Sequence, residues 1–97
     1  MKYANYVTYT SDKEKIAANR PQHREYIAEL LRGGKVAAAG PFADDSGALF
    51  VYEADSIEAV QALVSADPFA TCGVFERCEI KPWKLVFSNP ELLTPSA

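Results

Sequence analysis

The stretch ALFVYEA, residues 48–54, carries the strongest structural signal in this sequence. Its aromatic and β-branched side chains favour an extended strand, and nearly every position is apolar. Successive side chains of a strand point to opposite faces of a sheet, so both faces of this strand are largely apolar. An antiparallel strand with one face in water would alternate polar and apolar residues instead. The stretch therefore predicts a strand in a sheet that is covered on both faces.

The segment that precedes this strand predicts two further strands and a helix. Residues 3–10 are rich in tyrosine and β-branched residues, which predicts the first strand. Pro21 is expected to open the helix, because its missing N–H costs nothing in a first turn. An apolar stripe of helical period follows, and the glycines at 33–34 are expected to end the helix. Residues 35–42 then predict the second strand.

The segment that follows predicts a second helix and a last strand. Asp55 and Glu58 have the spacing of a capping box, with Asp55 as the N-cap. The helix is expected to end near Pro68, which halts the hydrogen-bond ladder. Residues 74–87 predict the last strand, and residues 88–97 are expected to trail over the surface or onto a partner.

The resulting order is β-α-β-β-α-β, which defines an α+β, ferredoxin-like domain. It predicts an antiparallel sheet with both helices on one face. Two helices leave the opposite apolar face uncovered, so we expect a homodimer that pairs through this sheet face. Residues 1–97 form a single domain, with its core in residues 3–87 and a C-terminal tail beyond it.

The composition limits the classes of partner and location. The chain is 48% hydrophobic and 24% charged, and its net charge of −3 predicts neither a nucleic-acid nor a membrane partner. No apolar run approaches the about 20 residues of a membrane-spanning helix, and no signal-peptide pattern is visible, so we expect a cytoplasmic location. Cys72 and Cys78 are too few for a disulfide framework.

His23 is the one histidine of the chain and the first candidate for chemistry. A single histidine without a cysteine cluster predicts no metal site, and the absence of glycine-rich nucleotide motifs predicts no cofactor. His23 shares the apolar stripe of Ile27 and Leu30, so we expect it to face the sheet. In the first helical turn the helix dipole would favour the neutral imidazole, which a general base requires. A structural histidine at a helix start fits the same pattern.

Two charged residues are candidates to assist His23. A carboxylate at Asp67 that accepts the imidazole N–H would fix the tautomer and stabilise the imidazolium. Asp67 also suits the cap of a turn before Pro68, and the two roles are compatible. Arg20 is a candidate to meet an anionic ligand, although its position favours a solvated surface arginine.

Four short motifs occur in the order found in the YCII-related family. They are RPQH at 20–23, GPF at 40–42, ADPF at 66–69, and VFE at 74–76 with IKPW at 80–83. The chain resembles this family from residue 3 to about residue 87, and the resemblance implies a dimeric, ferredoxin-like fold similar to muconolactone isomerase. It also implies an active-site His–Asp pair, which matches His23 and Asp67. The residues expected from the same motifs to bind substrate are Arg20, Gly40, Pro41 and Phe69.

The resemblance implies a small enzyme without a cofactor, since one family member is a dehydrochlorinase that acts on a chlorinated hydroxyhydroquinone. His23 would then move a proton on a small aromatic or unsaturated metabolite, in an elimination or an isomerisation. Asp67 would orient His23, and Arg20 or main-chain N–H groups near Gly40 would hold developing negative charge. Two alternatives remain open: a non-catalytic module that binds a small ligand in the same pocket, and a domain that serves only for dimerisation.

Overall fold

The computed structural model describes residues 1–95, so residues 96–97 of the expected tail lie outside the described part. Its elements follow the predicted β-α-β-β-α-β order, with one additional short helix before the last strand. They are β1 (Lys2–Tyr9), α1 (Lys13–Arg32), β2 (Val36–Pro41), β3 (Gly47–Glu53), α2 (Ile57–Ser65), α3 (Pro68–Thr71) and β4 (Phe75–Trp83). The four strands form one antiparallel sheet in the order β2-β3-β1-β4, which confirms the ferredoxin-like α+β class.

The first helix starts earlier than the sequence predicted. It begins at Lys13, and the Asp12 side chain caps it by accepting a hydrogen bond from the Lys15 N–H at 3.1 Å. Pro21 therefore lies inside α1, where it has no N–H to donate to the Ala17 carbonyl. The prediction that Pro21 opens the helix was wrong, because the N-cap at Asp12 starts the helix before the proline is reached.

The second helical region confirms one predicted cap and corrects another. Ser56, rather than Asp55, caps α2 and accepts a hydrogen bond from the Ala59 N–H at 3.2 Å. Pro68 ends the helical region of α2 and begins α3, and Asp67 caps this short helix as the sequence predicted. Asp67 is therefore fixed at the junction between two helices.

The last strand is shorter than the predicted residues 74–87. Its only neighbour in the sheet is β1, and Trp83 pairs with Lys2 at the start of that strand. Beyond Trp83 the chain has no strand to pair with, so β4 ends there. Apart from a 3-10 turn at Pro90–Leu92, the following segment is irregular and exposed.

The hydrophobic core lies between the helices and one face of the sheet. On β3, Phe50 and Tyr52 point into this core and are almost completely buried. The opposite face carries Tyr6, Leu49 and Trp83, which are 52%, 44% and 41% exposed. The helices thus cover one of the two apolar faces of β3 and leave the other face exposed in the single chain.

Candidate functional site

A cavity of about 110 Å³ lies between α1 and the β2 side of the sheet. Its apolar wall includes Ile27 from α1 and Phe50 from β3, while Gly40 and Pro41 close it from β2. The polar side chains in its wall are Tyr9, His23 and Arg24. The site therefore combines an apolar body with three groups that can bond to a ligand.

His23 and Asp67 meet in this structure although they lie far apart in the chain. The His23 Nδ1 is 2.7 Å from the Asp67 Oδ1, and the two residues are 7% and 0% exposed. An ionised carboxylate can only accept hydrogen bonds, so this geometry assigns the imidazole proton to Nδ1. The unprotonated Nε2 is then the nitrogen free to exchange a proton with a ligand.

The position of His23 in the helix corrects one premise of the sequence analysis. Since α1 begins at Lys13, His23 lies in the middle of the helix rather than in its first turn. The helix dipole acts within the first and last turns, so the predicted influence of the helix terminus on His23 was wrong. The expected orientation was right, since His23 is buried against the sheet.

Three phenylalanine rings hold the plane of the imidazole. The Phe69 ring is parallel to it, with the centroids 4.0 Å apart and an interplanar angle of 5°. Phe50 and Phe75 meet it at steep angles, with centroid distances of 5.8 Å and 6.1 Å. Close packing leaves the imidazole little rotational freedom, which favours a defined direction for proton transfer.

Asp67 is held in place by the backbone as well as by His23. Its Oδ1 also accepts the Phe69 N–H at 2.9 Å, which is the cap of α3. Within residues 1–95, the second carboxylate oxygen, the Asn5 amide and the Tyr52 hydroxyl are buried without a hydrogen-bond partner. Burial raises the pKa of Tyr52, and the neighbouring Asp67 carboxylate raises it further. The polar region around His23 thus continues through Asp67 towards the centre of the sheet.

The structure places two of the four predicted substrate-binding residues in the cavity wall and two outside it. Gly40 and Pro41 belong to the cavity wall. Arg20 donates from Nη2 to both carboxylate oxygens of Asp45 at 2.8 Å, so it ties α1 to the β2–β3 loop. Phe69 is fully buried beneath the imidazole and is absent from the cavity wall. Contact of any of these residues with a substrate stays a prediction.

Sequence reasoning missed two residues of the cavity wall, Tyr9 and Arg24. Tyr9 is the last residue of β1, and its alternation with Asn5 and Val7 could have placed it on the helix-covered face. Arg24 directly follows His23, but its position at the cavity depends on how α1 packs on β2. Neither residue belongs to a motif on which the family resemblance rested.

The fold and site together define a ferredoxin-like α+β domain with a buried His–Asp pair at the wall of a small cavity. The sequence model of the YCII-related domain matches residues 1–84, and the chain belongs to this family. Protein YciI of Escherichia coli O6:H1 (strain CFT073) is 35% identical over 96 residues, which cover 84% of this chain and 98% of the relative. Uncharacterized protein YjpA of Bacillus subtilis (strain 168) is 38% identical over 63 residues, 65% of this chain and 73% of the relative.

Two solved structures share this architecture. The 5-chloro-2-hydroxyhydroquinone dehydrochlorinase of Burkholderia phenoliruptrix AC1100, in complex with 2,5-dihydroxybenzoquinone, has a TM-score of 0.76 and 26% identity. That similarity covers 87% of this chain and 94% of the dehydrochlorinase. Muconolactone isomerase has a TM-score of 0.61 at 18% identity and covers 91% of each chain, a likeness of fold alone.

Within residues 1–95, no cluster of three or more His, Cys, Asp or Glu side chains is arranged to hold a metal ion. None of the helices in that part of the chain is long and apolar enough to cross a membrane.

Proposed function

We propose that this protein is a small acid–base enzyme in which His23 transfers a proton on a small aromatic or unsaturated metabolite. The reaction is an elimination or an isomerisation and needs no cofactor. The observation that carries this proposal is the buried pair of His23 and Asp67, whose imidazole forms part of a cavity wall. A cytoplasmic location remains part of the same proposal.

The proton moves between the substrate and the His23 Nε2. When Nε2 takes up a proton, the imidazolium gains a charge-assisted hydrogen bond to the Asp67 carboxylate at its other nitrogen. The carboxylate thereby orients the ring and stabilises the charge that forms. Positioned acid–base catalysis contributes about 10²–10⁴-fold, enough for a substrate that is already activated.

The size and lining of the cavity support a ligand with one ring. An apolar cavity of about 150 Å³ holds a benzene molecule. The cavity here is somewhat smaller, about 110 Å³, so part of a ring would remain outside it. A planar ring is also what the related dehydrochlorinase holds in its complex with 2,5-dihydroxybenzoquinone.

The open face of the sheet supports a homodimer as part of the proposal. Tyr6, Leu49 and Trp83 form an apolar surface there, and a second copy would cover it symmetrically. We expect Leu49→Asp to give a monomer in sedimentation velocity, whereas Leu31→Asp, an equally exposed leucine on α1, leaves the dimer intact. A native chain that sediments as a monomer would contradict this part of the proposal.

The decisive experiment measures chloride release from 5-chloro-2-hydroxyhydroquinone by the native protein and by His23→Gln. We expect release by the native protein and a loss of at least 100-fold in His23→Gln, in line with the acid–base contribution above. The binding of 2,5-dihydroxybenzoquinone is measured in parallel by calorimetry. If 2,5-dihydroxybenzoquinone binds saturably but the native protein and His23→Gln release chloride at the same rate, the result would favour the non-catalytic module instead.

A further inference from the structure

We propose that Tyr9 and Arg24 form an anion subsite inside the His23 cavity, so that the ligand is a small planar anion with a carboxylate, phenolate or enolate oxygen. The inference rests on the proposed function for the choice of site. It concerns which ligand is held there, rather than whether a proton is moved.

The Tyr9 hydroxyl is a donor without an acceptor in the described protein. Tyr9 is only 6% exposed and lines the cavity, yet its hydroxyl makes no hydrogen bond within residues 1–95. A ligand oxygen in the cavity would supply the missing acceptor.

The Tyr9 hydroxyl is protonated at neutral pH. Burial, the largest cause, raises the pKa of Tyr9 to about 12, while Arg20 and Arg24 act to lower it and Asp45 and Asp67 act to raise it. The hydroxyl therefore stays protonated at neutral pH and remains a donor. Arg24 lines the same cavity as Tyr9.

Arg24 is the cation of the cavity wall that has no counter-charge. Arg20 is neutralised by its two bonds to Asp45, whereas Arg24 forms no ion pair within residues 1–95. The buried carboxylate of Asp67 is engaged by His23 and by the cap of α3. An anion that enters the cavity would thus meet one guanidinium that is free to bind it.

The apolar part of the cavity wall determines which kind of ligand body fits beside the anionic oxygen. Ile27, Pro41 and Phe50 offer apolar surface, which suits a ring or a short conjugated chain. With the anionic oxygen bound by Tyr9 and Arg24, the body of the ligand lies along this surface beside His23. Negative charge that develops when His23 removes a proton would be delocalised onto an oxygen that these donors already hold.

The test compares benzoate with benzamide, its neutral analogue of the same shape, by isothermal titration calorimetry. We expect the native protein to bind benzoate at least tenfold more tightly than benzamide. Arg24→Gln should weaken benzoate at least fivefold and leave benzamide unchanged, whereas Tyr9→Phe should weaken both, since the amide oxygen of benzamide also accepts a hydrogen bond. Arg32→Gln is the matched control, because it removes the same charge from an exposed position of α1 and should have no effect.

Equal affinities for benzoate and benzamide would overturn the proposal, as would an Arg24→Gln variant no weaker than Arg32→Gln. Circular dichroism shows whether the Tyr9→Phe variant folds. If it does not fold, Arg24→Gln alone tests the proposal, because Arg24 is exposed and its replacement should leave the fold intact. His23→Gln should keep the preference for benzoate. Turnover that persists in His23→Gln, with that preference intact, would refute the proton transfer and leave the anion subsite standing.

Discussion

Replacing Asp67 tests the centre of the site, because one of its carboxylate oxygens serves two contacts. Oδ1 accepts from the His23 Nδ1 at 2.7 Å and from the Phe69 N–H at 2.9 Å. Asp67→Ala removes a helix cap worth about 1 kcal/mol. It also leaves a buried imidazole N–H without an acceptor, which costs about 1–3 kcal/mol. We therefore expect Asp67→Ala to lower the free energy of unfolding by about 2–4 kcal/mol, a large share of the about 5–15 kcal/mol typical of a domain.

Asp67→Asn separates geometry from charge. The amide oxygen can accept the same two hydrogen bonds, so only the charge-assisted part of the His23 contact is lost. We expect a loss of about 1 kcal/mol for this variant. Its turnover should fall more than its stability, since the neutral amide no longer stabilises the imidazolium.

The assay is urea unfolding at one fixed protein concentration, followed by far-UV circular dichroism and by the fluorescence of Trp83. Ser56→Ala is the control, because it removes the cap of α2 without touching a buried partner. The difference between Asp67→Ala and Ser56→Ala isolates the bond to His23 if the dependence on urea keeps its slope. Equal losses in these two variants, or in Asp67→Ala and Asp67→Asn, would refute the reasoning.

Three further experiments test contacts outside the His–Asp pair. Pro21→Ala restores an N–H that can bond to the Ala17 carbonyl, and we expect thermal unfolding to show a gain of about 1–2 kcal/mol; a loss would mean that the proline is needed. In Gly47→Ala the added Cβ would overlap the Val7 carbonyl in the neighbouring strand, so we expect a loss of at least about 2 kcal/mol in urea unfolding, and an unchanged midpoint would contradict it. The pKa of Tyr9 is about 12 in the folded chain, above its usual value of 10.0. The unfolded chain therefore loses the Tyr9 proton at a lower pH than the folded chain does. As a result, the free energy of unfolding falls as the pH rises from 10 to 12. Urea titrations across that range should show a smaller fall in Tyr9→Phe, and an equal fall would exclude Tyr9 as its source.

The fold was predictable from the sequence because its strongest signals are local. The apolar run of β3 and the aromatic residues of β1 identified the two central strands of the sheet. The start of α1 was missed because Pro21 was taken as the first residue of the helix, whereas the cap lies at Asp12. The end of β4 was missed because it depends on where β1, the strand that pairs with β4, begins.

The candidate site was predictable only in part. The family motifs pointed to His23 and Asp67, whose contact joins residues 44 positions apart and depends on helix packing. Arg20 was the arginine that the motif favoured, but its pairing with Asp45 depends on the conformation of the β2–β3 loop. Tyr9 and Arg24 carry no local signal, because their shared cavity forms only when β1, β2 and α1 pack together.

The proline inside α1 separates two parts of the helix that differ in how many buried residues they carry. The part that precedes Pro21 places one residue in the hydrophobic core, Ile16, whereas the following part places His23 and Leu30 there. Local opening of the first part breaks few buried contacts, so it occurs without unfolding the whole domain. His23 lies in the part that follows Pro21, and the rings that pack on its imidazole lie outside α1. Opening of the first part of the helix therefore leaves the packing around the imidazole in place.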